Sequence, residues 1–207
     1  MEIESNYINQ VAQANKTNVV SPYGETKEEI DYSEYNISEI RDIPYAEAKE
    51  NYDQIKERIT KLSEEDLSKA ESIEHVNAYM QLSTVNYSDN ENMNETVYET
   101  MAIVESPALF SFELQTNLED YYYGKDTTAS FRIDGTDGSN HANKELNKTQ
   151  LSNINMDDFI DKMLETFTND YDTAKDPTLK EQYKSIVDGY NLFKESYDQA
   201  VTEPYYA

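Results

Sequence analysis

MDDFIDKMLETFTNDYDTAKDPTLKEQYKSIVDGYNLFKESYDQA, residues 156–200, is the stretch on which the fold turns. Met156, Phe159, Ile160, Met163, Leu164, Phe167 and Tyr171 fall three and four apart, which places a broad apolar stripe on one face of a helix from about 155 to 173. Asp176-Pro177 then offers an N-cap side chain followed by a residue that needs no hydrogen-bond donor in the first helical turn. Beyond it Leu179, Tyr183, Ile186, Tyr190, Phe193, Tyr197 and Ala200 alternate at spacings of four and three up to about Val201. So short a connection leaves two such stripes one way to meet, an antiparallel helical hairpin. Gly189 lies inside the second helix at a propensity cost of ~1 kcal/mol, so packing has to outweigh propensity there.

Upstream the helical period recurs less regularly. Tyr45, Ala48, Tyr52, Ile55, Ile59 and Leu62 form a narrow seam on a helix predicted from Pro44 to Leu62, with Asp42 as its cap. Ser63 with Asp66 resembles a capping box and opens a second predicted helix to Thr84, its apolar face being Leu67, Ala70, Ile73, Val76 and Met80. Ser88 to Asn92 is polar and aperiodic, as a loop would be. Val97, Met101 and Val104 suit a short helix, and Ser106-Pro107 with Gly124 brackets another through Phe110, Leu114, Leu118 and Tyr121. Alternation of Phe110, Phe112 and Leu114, and of Ala129, Phe131 and Ile133, gives the competing expectation of a small β-hairpin within 108–133. The fold expected is predominantly all-α: an irregular bundle of five or six helices, with residues 1–25 a loosely ordered arm and 26–207 a single helical domain.

Composition restricts function more than it identifies it. The net charge of −25 argues against nucleic acid, whose phosphates demand clustered Lys and Arg, and against anionic membrane surfaces. No run approaches the ~20 apolar residues that span a bilayer. Three arginines, Arg41, Arg58 and Arg132, are too few for a multi-arginine phosphate clamp, and the five glycines form neither nucleotide-binding glycine pattern. Cysteine is absent, which removes disulfide, thiolate and zinc–thiolate chemistry. The 18 tyrosines stand against 6 phenylalanines and no tryptophan, so the core is expected to be lined by rings whose hydroxyls sit at its edge.

Individual residues carry little chemistry. His75 and His141 are far apart and stand in no nucleophile or metal-ligand pattern. Asp134 to Glu145 has the length of a calcium loop, with Asp134, Thr136, Asn140 and Glu145 as oxygen donors, but Gly138 and Ser139 stand where a ligand and a glycine belong. Asn36-Ile37-Ser38 and Asn147-Lys148-Thr149 match glycosylation sequons. No catalytic, cofactor-binding or metal-ligating residue is therefore assigned, and no cofactor is expected. The polar, uncharged composition of residues 1–25 resembles the export signals of type III or flagellar secretion substrates. The expected function is a non-catalytic interaction protein linked to a bacterial export, flagellar or surface apparatus, in the cytoplasm or exported without a cleaved signal peptide. Two other readings stand beside it: an acidic mimic for a basic groove on a protein partner, and a carboxylate-dependent hydrolase. Lys49, Lys56, Lys61 and Lys69 interleaved with Glu50, Glu57, Glu65 and Glu71 favour charge that only solubilises, and the stretch from Glu71 to Asp120, without Lys or Arg, is where a negative face for a mimic has room to form.

Overall fold

The computed structural model describes the backbone of residues 16–20 and 26–30 and all of 31–63, 67–125 and 145–202. Strands β1 (Lys16–Val20) and β2 (Thr26–Ile30) pair antiparallel. The remaining described elements are helical: α1 (Ile37–Arg41), α2 (Tyr45–Glu50), α3 (Tyr52–Leu62), α4 (Lys69–Ser83), a 3-10 turn at Thr84–Asn86, α5 (Glu91–Ile103), α6 (Pro107–Tyr122), α7 (Lys148–Ser152), α8 (Met156–Thr173) and α9 (Pro177–Thr202). The fold is thus predominantly α. A β-hairpin in 108–133 does not form in its described part, because α6 runs unbroken through it; residues 126–133 lie outside the described residues. Ser106 and Pro107 open that helix, and Gly124 follows it at φ 65°, a left-handed conformation that glycine adopts without a Cβ clash.

The hairpin of α8 and α9 forms as its stripes require. Asp176 accepts hydrogen bonds from the N–H groups of Thr178 (2.8 Å) and Leu179 (3.0 Å), and so caps α9. Tyr190 is the centre of the core between the two helices. Its ring stacks on Phe167 at 5.8 Å and meets Phe110, Phe159 and Phe193 edge to face. Edge-to-face and offset contacts suit the quadrupoles of the rings. The Tyr190 hydroxyl does not reach the edge of the core. It accepts a hydrogen bond from Asn117 Nδ2 at 2.8 Å, inside a completely buried site. Gly189 is explained at the same place: a Cβ there would lie 2.9 Å from the Phe110 ring, so α6 and α9 approach this closely only over a glycine.

Two apolar clusters fill the described interior. One gathers α6, α8, α9 and the segment 146–154; the other gathers Tyr32 and α1 to α4. Helix α5 belongs to both. Its Met93, Val97, Met101 and the following Val104 enter the first, and Tyr98 enters the second. A helix buried on opposite faces cannot show a simple amphipathic stripe, which is why only part of it is visible in the sequence.

The N-terminal seam holds, with Tyr45, Ala48, Ile55, Ile59 and Leu62 buried and Tyr52 half-buried. Its helix is nevertheless two. The chain breaks at Asn51 (φ −113°, ψ 24°), whose side-chain amide donates to the Glu47 carbonyl. Asp42 caps no N-terminus and instead closes α1, a short helix opened by an Asn36–Glu39 capping box. Helix α4 differs most from expectation. Ser63 ends α3, and the capping box that opens α4 is Ser68 with Glu71. The buried residues of α4 are Asn77, Ala78, Gln81 and Leu82, whereas Ile73 and Val76 are 54% and 52% exposed.

Candidate functional site

The residues singled out by sequence motifs take structural roles or lie outside the described residues. His75 is half-buried and its Nε2 lies 2.7 Å from the Ile59 carbonyl, so the ring ties α4 to α3. His141 and residues 134–144 of the calcium-loop match are outside the described residues. The sequon asparagines Asn36 and Asn147 are both helix N-caps, each accepting from the backbone N–H three residues on while that residue's side chain returns the bond. Among the described residues no three His, Asp or Glu side chains converge in a way that would hold a metal ion.

Sequence reasoning missed a carboxylate ladder on α5. Glu91, Glu95 and Glu99 are spaced by four and so lie on one helical face. Glu91 accepts from the Tyr45 hydroxyl (2.7 Å) and pairs with Lys49. Glu99 accepts the Tyr45 N–H at 2.8 Å, an otherwise open donor at the start of α2. Glu95 Oε2 is buried without a hydrogen-bond partner. Burial raises the pKa of the Glu95 carboxyl above its ordinary range, and the charges of Glu99 and Glu91 add to the effect. Burial also raises Glu99, against the opposing pull of the Tyr45 N–H. A carboxyl raised in the folded state takes up its proton at higher pH than in the unfolded chain, so stability falls as pH rises through its folded pKa. The thermal midpoint should therefore rise as pH is lowered from neutral toward the ordinary carboxylate range, most of the gain being complete on reaching it. In the Glu95→Gln/Glu99→Gln variant that rise should flatten; a rise unchanged in the variant would assign it to the net charge alone.

Two clefts of the described surface are well defined. The larger, about 530 Å³, is lined by Ser83, Tyr87, Gln115, Glu119, Glu145 and Lys148 among others, between the end of α4, the middle of α6 and the start of α7. The smaller, about 280 Å³, runs between the start of α6 and α9, with Leu109, Phe110, Glu113 and Gly189 in its wall. Glu95 and Glu99 line neither cleft.

The surface itself is more unusual than either cleft. Among the described residues nine large apolar side chains are exposed, and eight of them fall between Lys69 and Lys125: Ile73, Val76, Tyr79, Ile103, Leu109, Phe112, Tyr122 and Tyr123. The same interval contains ten acidic residues and no Lys or Arg. Its lack of basic residues is plain in the sequence. The exposed apolar residues are not, because their helical spacing reads as a core face.

No family model matches the chain, and no curated protein or solved structure matches it.

Proposed function

We propose that this chain is a non-catalytic interaction protein that works by presenting helical surface to a protein partner. The observation that carries the reading is the concentration of exposed apolar side chains, 40–58% accessible, in the one long interval without a basic residue. Apolar residues scattered singly over a surface need no explanation, whereas a grouped set on adjacent elements marks a contact region. The same interval supports the second reading, an acidic mimic that occupies a basic groove. A carboxylate hydrolase is supported less, since a catalytic acid is expected where a raised carboxyl meets a cleft, and Glu95 and Glu99 stand apart from both clefts. The association with an export, flagellar or surface apparatus rests on the composition of residues 1–25. Purification of the native protein at low salt, followed by mass analysis, tests the function. One stoichiometric protein partner that dissociates as salt rises is expected. A protein that elutes alone at every ionic strength and cleaves glycoside substrates would overturn it.

A further inference from the structure

We infer that the outer surface of α4 and α6 docks a basic amphipathic helix of a protein partner, a conclusion that rests on the interaction function proposed above. Two anchors fix how these helices lie. The Arg41 guanidinium bonds Glu74 on α4 and also the carbonyls of Met101 and Ala102, just ahead of α6. Further along both helices, Ser83 and Gln115 line one cleft. Helices α4 and α6 therefore run side by side in the same direction. Ile73, Val76 and Tyr79 on α4 and Phe112 on α6 are exposed on these two helices, whereas Ile103 and Leu109 open on the cleft between α6 and α9.

The burial pattern of α4 is inverted relative to a helix that merely packs on a core. Asn77 and Gln81 are buried, at 6% and 1%, while Ile73, Val76 and Tyr79 face outward at more than half exposure. Gln81 has a structural role there, its amide donating to the Arg41 carbonyl at 3.0 Å. The outward apolar residues are only about half covered by the fold, and an aqueous surface disfavours the rest of their area. Such a stripe is complete once an apolar helix face lies along it.

Charge selects the occupant. Glu71 and Glu105 are exposed and Glu119 is half-exposed on these elements, which carry no Lys or Arg between 70 and 124; the basic side chains that approach from elsewhere, Arg41 and Lys184, are paired with Glu74 and Asp188. A second copy of this chain would bring a net charge of −25 against the same charge. Anionic lipid and nucleic acid are repelled for the same reason. Lys and Arg flanking an apolar helix face meet both features of the surface at once.

The test uses the full chain and two synthetic fluorescein-labelled helices of about 18 residues, five turns, with Leu on one face and either Lys or Glu on the other. The Lys helix should bind and the Glu helix should not. Val76→Ser/Phe112→Ser leaves the charge unchanged and removes only exposed side chains, so the helical circular-dichroism spectrum should be retained. Its affinity for the Lys helix should fall at least about tenfold. Ile73→Ser/Tyr79→Ser serves if the first pair fails to fold, and Val201→Ser, exposed elsewhere, should change nothing. Equal binding by the wild type and folded patch variants would reveal diffuse attraction to an acidic protein and overturn the docking surface, without touching the interaction function tested by native purification. Binding of neither helix, or a wild-type dimer that Val76→Ser/Phe112→Ser dissociates, would overturn it too.

Discussion

Phe193→Ala is expected to lower the free energy of unfolding by about 3–5 kcal/mol, the range for truncation of a core aromatic. Phe193 is completely buried and its ring lies 6.3 Å from Tyr190 and 5.9 Å from Phe110. Truncation removes apolar area and opens a void among rings that belong to three different helices. Those rings cannot follow one another inward without leaving their edge-to-face geometry, so the void closes only in part. Urea unfolding followed by circular dichroism measures the loss. A change within about 0.5 kcal/mol would show that the stripe of α9 packs on nothing.

Arg41→Ala is expected to cost about 2–3 kcal/mol, because several charge-assisted hydrogen bonds leave with one side chain. The guanidinium, 16% exposed, holds Glu74 and two carbonyls at the end of α5. Those carbonyls have no partner within their own helix, so Arg41 works as a C-terminal cap supplied from another element. Arg41→Lys should recover only part of the loss, since a single ammonium cannot span the three acceptors in the plane of the fork. Equal stability of Arg41→Ala and the parent in urea would mean that water replaces the guanidinium without cost.

What the sequence reveals follows how regular each local signal is. The α8–α9 hairpin is legible because one face of each helix repeats over five turns or more and Asp176 caps α9 as expected. Helix α4 is misread because the fold places Asn77 and Gln81 inside and leaves Ile73 and Val76 outside, so hydropathy points to the wrong face. Its start is misplaced because Ser63 with Asp66 competes with the true box five residues on, where Glu71 has the length to reach back to the Ser68 N–H at 2.9 Å. The break at Asn51 has no proline or glycine to announce it. Tertiary pairs leave no trace in a period: nothing near Asn117 signals Tyr190, 73 residues away. The candidate surface is half legible. Its missing basic residues are visible at once, while exposure of its apolar residues emerges only after every helix has chosen its neighbours.

Helix α5 has a consequence for the way the molecule comes apart. Because it supplies side chains to both apolar clusters, neither can open without stripping one of its faces. Its central amides, from about Val97 to Met101, are therefore expected to exchange with deuterium only through global opening, more slowly than those of the short α1 and α7. The same sharing couples distant damage: a void beneath Phe193 loosens α5, and through Tyr98 and its bond to the Ile43 carbonyl that loosening passes to the N-terminal helices. Denaturation then registers as one event, with the two clusters melting at a common midpoint.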